Sequence, residues 1–212
     1  MQELQSEARR ELKMPYQFRQ TDTALKTTLI LKKLPMTPFT FLELGANVGM
    51  HSFRIAAERP ACLGVVIEGG SSKAILKAGF SCIKPQNLIL STAWITEKML
   101  TGITMRFDYV LALDFIHWFQ DWEAILATIL RLGKNIIICI PPDEDRLAVG
   151  QEHNEAINDV IQKLSTEYVG LVYRQHSDKF ERIHLIVTSV IPSPAVDKLR
   201  DEIDVRYPGD SQ

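Results

Sequence analysis

The sequence predicts an α/β fold: a three-layer αβα sandwich whose seven-stranded, mostly parallel sheet ends in an antiparallel C-terminal edge hairpin. From residue 39 onward, short apolar runs alternate with segments of helical periodicity, which is typical of βα units. The segment 135–140 is mostly apolar, as strands buried on both faces are. Two further strand-like segments, 169–174 and 182–188, follow each other without a helix between them and predict the hairpin.

The elements of this pattern can be assigned in chain order. The predicted parallel strands are Phe39–Leu44, 63–67, 88–90, Phe107–Leu113 and 135–140. The predicted helices between and after them are 49–59, about 71–79, 118–132 and about 145–166. Glycines or prolines follow several of these segments, as expected where strands and helices end.

Two flanking segments fall outside the alternation. Residues 1–38 are predicted to form an N-terminal helical cap, with helices at 2–13 and about 21–34 that are separated at Met14-Pro15. Residues 39–191 would form the α/β domain, and residues 192–212 a C-terminal tail. A chain of 212 residues can bury a sizeable core without disulfides or structural metals.

Composition narrows the class of protein. The formal net charge of −2 gives no electrostatic basis for non-specific nucleic-acid binding. Residues 1–38 alone carry +3, which indicates a solvated helical face or, as the alternative, a site for an anionic partner. The three cysteines form no CxxC pair, and no secretory signal or membrane-spanning apolar stretch is visible. We therefore expect a soluble cytoplasmic protein that does not bind a membrane.

The end of the first predicted strand carries the most informative motif, residues 43–49. Ligands of open α/β sheets bind at the carboxyl ends of the strands, near the point where the strand order reverses. Gly45 permits a tight turn there, and Gly49 lets the next helix begin close to the strand. Glu43 puts an acceptor near that helix N-terminus, a combination that suits a zwitterionic amino-acid moiety better than a pyrophosphate. A turn without any ligand is the alternative.

This segment, Glu43-Leu44-Gly45-Ala46-Asn47-Val48-Gly49, resembles the first motif of class I methyltransferases, acid-x-Gly-x-Gly-x-Gly. Asn47 replaces the middle glycine, as in the Gly-Ala-Asn-x-Gly form that also occurs in that superfamily. Asparagine tolerates left-handed backbone better than most residues. A dinucleotide fingerprint would instead need its third glycine at Met50, which argues against a nicotinamide-dependent oxidoreductase.

Two later segments extend the resemblance to roughly residues 39–140. Glu68 ends the second predicted strand, 19 residues after Gly49, where a carboxylate can accept both ribose hydroxyls of a nucleoside. Residues 107–118 are similar to the fourth-strand segment of many small-molecule methyltransferases. The resemblance implies that Asp108 caps the strand entry, and that Asp114 and His117 lie at the carboxyl end, facing cofactor sulfur and substrate.

The cofactor implied by the resemblance is S-adenosylmethionine. The residues assigned to it lie in the first motif and at the ends of the next three strands: Glu43, Gly45, Ala46, Asn47, Gly49, Glu68, Gly69, Thr92, Ala93, Trp94 and Leu113. The family often has an acid after strand three, and this chain does not. Trp94 would either stack on adenine or lie buried in the core, and the core interpretation is favoured.

The predicted activity is methyl transfer to a small molecule. His117 is the first candidate for a general base and Asp114 the second, although His117 at a helix start has an equally good structural interpretation. No metal is predicted, because a metal-dependent variant using Asp114 and Asp143 would also need an Asp-Asn pair after strand five. The alternatives are a nucleic-acid or protein acceptor, and a cofactor-binding interaction module without catalysis.

Overall fold

A computed structural model of the chain describes residues 20–140, 156, 157, 160, 170–176 and 181–187. Five parallel strands of the α/β domain pair in the order β3-β2-β1-β4-β5. Their bounds are β1 Phe39–Leu44, β2 Cys62–Ile67, β3 Leu88–Ser91, β4 Phe107–Leu113 and β5 Gly133–Ile140. The predicted α/β fold with a parallel sheet is confirmed.

The central strand β1 is where the strand order reverses. From β1 the chain moves outward to β2 and β3, then crosses back to β4 and β5 on the other side. Leu44, the last residue of β1, pairs with Ile67 on β2 and with Ala112 on β4. The carboxyl ends of three neighbouring strands therefore meet at one edge, which is the position where open α/β sheets bind their ligands.

Helices cover both faces of the sheet. The described helices are α1 Gln20–Lys33, α2 Met50–Glu58, α3 Lys73–Ile83, α4 Glu97–Thr101 and α5 Trp122–Leu132, with a 3-10 turn at Ile116–Trp118. Right-handed crossovers place α2 and α3 on one face and α4 and α5 on the other, because the chain runs in opposite directions along the sheet. The side chains agree with this arrangement. Glu43 of β1 bonds to Ser52 on α2, whereas its neighbour Leu42 belongs to the cluster that contains Ile125 and Ile129 of α5.

The helix α1 belongs to a separate unit of the chain. The chain divides into Met1–Leu34 and Pro35–Gln212. α1 confirms the helix predicted at about 21–34, and its last turn contains Lys32 and Lys33, whose charges suit the negative end of a helix dipole. The helix predicted at 2–13 lies outside the described residues. Of the helices described, none is long and apolar enough to cross a bilayer.

The elements differ from the prediction in several places, including the end of α3, which is at Ile83 rather than at about residue 79. The helix predicted at 118–132 begins only at Trp122, because the 3-10 turn ends at Trp118 and Phe119 is extended (φ −108°, ψ 135°). The helix α4 was not predicted, since five residues are too few to show a period; Thr96 caps it by accepting the Met99 N–H at 3.1 Å. β5 begins at Gly133, directly after α5.

The C-terminal part of the chain is described only in pieces. Residues 156, 157 and 160 are helical, as predicted for the segment at about 145–166. The strands β6 Gly170–His176 and β7 Glu181–Val187 correspond to the segments predicted at 169–174 and 182–188. Asp143 and the predicted tail at 192–212 lie outside the described residues.

A polar network closes the edge of the sheet opposite the carboxyl ends of the strands. The carboxylate of Asp108, near the start of β4, accepts the backbone N–H of Thr40 at 2.8 Å and its hydroxyl at 3.0 Å. Lys134 Nζ donates to the other carboxylate oxygen at 2.7 Å, and this hydrogen bond is the main reason that the pKa of Asp108 is lowered. Asp108 therefore ties β1, β4 and β5 together, as predicted, at the edge away from the candidate site.

Gly64 in β2 offers a test of how closely the sheet is packed. A Cβ at this position would overlap the Phe41 ring and lie 2.7 Å from Leu88 Cδ2. Because overpacked cores are destabilised, we expect Gly64→Ala to lower the free energy of unfolding by about 1–3 kcal/mol in urea titrations. In Gly102→Ala the new Cβ would meet its nearest neighbour at 3.4 Å, so this control should unfold like the wild type. Equal stability of the two variants would contradict the packing described here.

Candidate functional site

The loop from Gly45 to Gly49, called the cradle below, connects β1 to α2 with left-handed backbone at three positions. The φ angles are +67° at Gly45, +53° at Asn47 and +79° at Gly49. The N–H groups of Gly45 and Ala46 both donate to the Ile67 carbonyl, at 3.0 and 3.1 Å. The cradle is thus a sharply turned loop whose start is fixed to the end of β2, as the two glycines predicted.

At Gly45 and Gly49, close packing beneath the cradle also leaves no space for a side chain larger than hydrogen. A Cβ at Gly45 would lie 2.5 Å from Cδ2 of Phe115, and one at Gly49 would overlap Leu76 and lie 2.9 Å from Phe53. Phe115 is buried and follows β4 by two residues, so it brings the end of β4 against the cradle. Nothing in the sequence around Phe115 predicted this contact, because it joins residues that are seventy positions apart.

Glu68 joins the cradle to the loop after β2. One carboxylate oxygen accepts the backbone N–H of Asn47 at 2.8 Å, and the other accepts the N–H of Gly70 at 2.5 Å. The side chain is only 8% exposed. Hydrogen bonds to an ionised carboxylate are stronger than those between neutral groups. Glu68 therefore fixes the relative position of two loops at the carboxyl edge, next to the place where its predicted ribose contact would be made.

Glu43, the acid of the motif, is turned into the interface between β1 and α2. It is 1% exposed and accepts a hydrogen bond from the Ser52 hydroxyl in the first turn of α2. Burial raises the pKa of Glu43 to about 7; the Ser52 hydrogen bond opposes this rise and the charge of Glu68 adds to it. Glu43 does lie near the helix N-terminus, as predicted. No sequence pattern indicated that Ser52 is its partner.

The loop after β3 approaches the loop after β2 so closely that only glycine fits between them. A Cβ at Gly69 would lie 2.5 Å from the Ala93 carbonyl oxygen and 2.6 Å from Trp94 Cα. Trp94 itself is 71% exposed, and Ile95 takes the buried position beside it. The interpretation of Trp94 as a core residue is therefore wrong. Because β3 is the edge strand of the parallel sheet, no strand of the described part of the chain lies on the outer side of the loop that follows it.

At the end of β4, Leu113 is buried and Asp114 is held by one residue of β5. The Asp114 N–H donates to the Cys139 carbonyl at 2.8 Å, and the Cys139 thiol lies 3.0 Å from Asp114 Oδ1. The backbone of Asp114 is in the left-handed region, with φ +51°, which is an uncommon conformation for a residue other than glycine. Such backbone is often found at functional sites, where the surrounding structure holds it in place. The contact with Cys139 is another one that sequence patterns did not indicate, after those of Phe115 and Ser52.

His117 and Trp118 follow Asp114 in the 3-10 turn. His117 is 2% exposed, whereas Trp118 is 46% exposed and donates its indole N–H to the Asp114 carbonyl at 3.2 Å. Their ring centroids are 5.1 Å apart. His117 therefore lies close to Asp114 in the chain but is covered. The partly exposed Trp118 stays beside Asp114.

The structure thus collects the predicted residues at one edge of the sheet. The cradle, Glu68, the segment 92–94 and the end of β4 all follow the carboxyl ends of neighbouring strands. The arrangement offers backbone donors in the cradle, a partly buried carboxylate at Glu68, and a second carboxylate at Asp114. The roles of the individual residues in binding and catalysis remain predictions.

The raised pKa of Glu43 gives a prediction for stability against pH. In the unfolded chain the carboxyl ionises near its ordinary value of 4.5, and in the folded chain near 7. The folded state therefore holds this proton more tightly, and ionisation destabilises it. We expect this contribution to weaken stability as pH rises from about 4.5 to about 7, by on the order of 3 kcal/mol in total.

Urea unfolding at pH 5 and pH 8 measures this effect. Glu43→Gln should remove most of the difference between the two pH values. Glu58→Gln, which changes an exposed carboxylate paired with Arg54, should keep it. If Glu43→Gln retained the full pH dependence, another group would be responsible.

Comparison with known proteins identifies the fold. No family model and no curated protein matches the chain. Among solved structures, magnesium protoporphyrin IX methyltransferase (ChlM) from Synechocystis PCC 6803 with bound SAM is 16% identical at a TM-score of 0.58, covering 80% of this chain and 79% of that chain. The N-terminal domain of EvdMO1 with SAH bound is also 16% identical, at a TM-score of 0.57, covering 79% and 81%.

A third match is more distant in sequence. A SAM-dependent methyltransferase from Aquifex aeolicus is 13% identical at a TM-score of 0.55, covering 76% of this chain and 89% of that chain. These likenesses span most of each protein, although few residues are shared. The chain therefore has the fold of class I S-adenosylmethionine-dependent methyltransferases.

Proposed function

We propose that this chain binds S-adenosylmethionine and transfers its methyl group to a small molecule. The observation that carries the proposal is the cradle, which lies at the switch point of the sheet and is hydrogen-bonded to Glu68. Proteins of the same fold, such as ChlM and the EvdMO1 domain, have structures with SAM or SAH bound. The acid at the end of β2 and the glycine loop at the end of β1 suit a nucleoside with an amino-acid tail.

The residues present fit this cofactor. Gly45 lacks the Cβ that would clash with Phe115, so the end of β4 can pack against the cradle. The Asn47 side-chain oxygen is buried and has no hydrogen-bond partner among the described residues, which leaves an acceptor for a ligand. Glu68 would hold the ribose, the cradle the amino-acid moiety, and Thr92, Ala93 and the exposed Trp94 the adenine. Glu43, Gly69 and Leu113 would support these groups from behind.

When bound, the cofactor supplies an activated methyl group whose carbon is attacked in line by the acceptor's lone pair while sulfur keeps the electron pair of the broken bond. Alignment provides much of the rate in such a reaction. The chain's own residues would orient the acceptor and, for a hydroxyl or ammonium acceptor, remove its proton. Of the two predicted bases we favour Asp114, because it is partly exposed at the end of β4 whereas His117 is 2% exposed.

A cofactor-binding module without catalysis is the second candidate. The burial of His117 favours it, since a covered imidazole does not reach an acceptor. An assay of methyl transfer distinguishes the enzyme from the non-catalytic module. Incorporation of tritiated methyl from S-adenosylmethionine into any fraction of a cell extract supports the enzyme, and binding without incorporation supports the module.

The type of methyl acceptor and the cellular location are inferred from a similar protein, the net charge and the cysteines. The name of ChlM gives it a small-molecule acceptor, and the net charge of −2 gives this chain no general attraction to nucleic acid. A nucleic-acid or protein acceptor remains the alternative, supported only by the +3 of residues 1–38. Cys62 and Cys139 are buried and are not disulfide-bonded, which supports a cytoplasmic location.

We also propose that the sheet is completed to seven strands by the C-terminal hairpin, giving the full αβα sandwich. Support comes from the backbone register of the described segments. Gly170 lies opposite Val187 in an antiparallel ladder, and Ile183 of β7 lies opposite Ile140 of β5. The division into a cap at 1–38, a domain at 39–191 and a tail at 192–212 belongs to the same proposal.

Cofactor binding can be tested with S-adenosylhomocysteine in isothermal titration calorimetry. We expect the wild type to bind S-adenosylhomocysteine and not to bind NADH. Glu68→Gln keeps the shape but removes the charge, so we expect the Kd to rise by roughly 10- to 100-fold. Glu97→Gln, at the start of α4, should leave the Kd unchanged. Absence of heat with the wild type would overturn the proposed function.

The role of Asp114 can be tested by Asp114→Asn, because asparagine tolerates the left-handed backbone at this position. If the carboxylate removes a proton, the transfer rate should fall by roughly 10²- to 10⁴-fold while the Kd for S-adenosylhomocysteine stays the same. Asp121→Asn, before α5, is the matched control and should keep the full rate. An unchanged rate in Asp114→Asn would show that this carboxylate takes no proton.

A further inference from the structure

Asp114 is held at the end of β4 through its backbone and through its side chain. Its N–H donates to the Cys139 carbonyl at 2.8 Å, and its carbonyl accepts the indole N–H of Trp118 at 3.2 Å. The thiol of Cys139 lies 3.0 Å from Oδ1 of its carboxylate. Cys139 thus contacts Asp114 twice, and these contacts hold a residue whose backbone is left-handed, with φ +51°.

Cys139 differs from its neighbours in β5. The other members of the run 136–140 are isoleucines, whose β-branched side chains suit a buried strand better than cysteine does. Cys139 is 1% exposed and lies opposite Leu113, the last residue of β4. An isoleucine here would bury more apolar surface but would have no hydrogen to donate. What cysteine adds at this position is an S–H donor beside a carboxylate.

A donor on Oδ1 has two effects on the carboxylate of Asp114. A hydrogen bond to the charged form of an acid favours ionisation, so the thiol keeps the carboxyl group deprotonated. The same bond fixes the rotation of the carboxyl group, which is otherwise broadly distributed. Because Cys139 is buried, this hydrogen bond lies in surroundings of low dielectric constant, where it is stronger than in water. A group that removes a proton from an acceptor needs both effects.

We propose that Cys139 is a positioning residue for methyl transfer, whose thiol holds Oδ1 of Asp114 so that Oδ2 takes the proton of the acceptor. This inference rests on the proposed function, in which Asp114 is the base. The proton of the acceptor passes to Oδ2, a lone pair of the acceptor forms the new bond to the methyl carbon, and the electron pair of the broken bond stays on sulfur. The thiol of Cys139 keeps its own proton throughout.

Two substitutions separate the hydrogen bond from packing. Cys139→Ser keeps a donor, and Cys139→Val keeps an apolar side chain of similar size without one. The probe is tritiated methyl from S-adenosylmethionine, transferred into the extract fraction that the wild type labels. In Cys139→Val we expect the rising limb of the pH–rate profile to move up by roughly one pH unit, because the ionised carboxylate has lost a donor.

The rate above that limb reports on orientation. In Cys139→Val we expect it to fall by roughly tenfold, since the carboxylate is no longer held in one rotation. Cys139→Ser should bring both the limb and the rate back towards those of the wild type. Both variants should bind S-adenosylhomocysteine in calorimetric titrations as the wild type does, because the cofactor residues are unchanged.

Cys62→Val is the matched control. Cys62 is also buried, but it begins β2 and therefore lies at the edge of the sheet away from Asp114. This variant should keep the pH profile and the rate of the wild type. His117 is the other titratable group of the segment 114–118 and is the same in every variant, so a limb that belongs to His117 would not move.

Infrared spectroscopy observes the hydrogen bond without any acceptor. The S–H stretching band moves to lower frequency when a thiol donates a hydrogen bond, and loss of a band in Cys139→Val identifies that of Cys139. In Asp114→Gly, which removes the carboxylate and suits the left-handed backbone, we expect this band to move to higher frequency. The band that is lost in Cys62→Val should stay where it is.

Each measurement has an outcome that contradicts the inference. A wild-type pH profile and rate in Cys139→Val, a Cys139→Ser variant that behaves like Cys139→Val, or a Cys139 band that does not move in Asp114→Gly would each overturn it. Absence of methyl transfer by a wild type that binds S-adenosylhomocysteine is a different result. It would reject the proposed enzyme, and with it a role of Cys139 in catalysis, whatever the infrared spectra show.

Discussion

The carboxylate of Glu68 connects the cradle to the loop after β2, in addition to the hydrogen bonds that Gly45 and Ala46 donate to the Ile67 carbonyl. Its two oxygens accept one N–H from the cradle and one from the loop after β2. Because the cradle has left-handed backbone at three positions, it needs such external partners to keep its shape. Every interaction described for the site, from the contact of Phe115 with the cradle to the position of Asn47, depends on the relative position of these two loops.

A second acid, Glu43, lies almost directly behind this arrangement and has a different role. It is buried against Ser52, and its raised pKa shows that burial outweighs the hydrogen bond it receives. The two acids of the predicted cofactor site therefore have different roles. Glu43 belongs to the packing of α2 on β1, and Glu68 faces the edge where a ligand would bind. Their proximity also means that the charge of one affects the ionisation of the other.

Sequence patterns predicted the alternating elements and the cradle well, because both depend on local properties. Apolar periodicity indicated the five parallel strands, and Gly45 and Gly49 indicated a turn that side chains would obstruct. The contacts that complete the site are not local. Phe115 beneath Gly45 and Cys139 beside Asp114 join segments that are distant in the chain, and no residue type or spacing distinguishes them.

The errors of prediction have physical causes of the same kind. The core interpretation of Trp94 follows from the usual burial of large aromatic side chains, but among the described residues the loop after the edge strand β3 has a neighbouring strand on one side only. The predicted start of α5 at Trp118 is too early: Trp118 lies four residues before Trp122, which is a helical spacing, but Phe119 leaves the helical region. In both cases the tertiary environment overrode a local preference.

The residues proposed to hold the nucleoside lie in one continuous stretch, from Glu43 in β1 to Trp94 after β3. A duplication or recombination event could therefore carry this stretch between genes as one piece. Mutations elsewhere in the chain can accumulate and change which acceptor is recognised while the loops that Glu68 ties together are inherited intact. We expect evolutionary divergence of such a protein to be fastest outside this stretch.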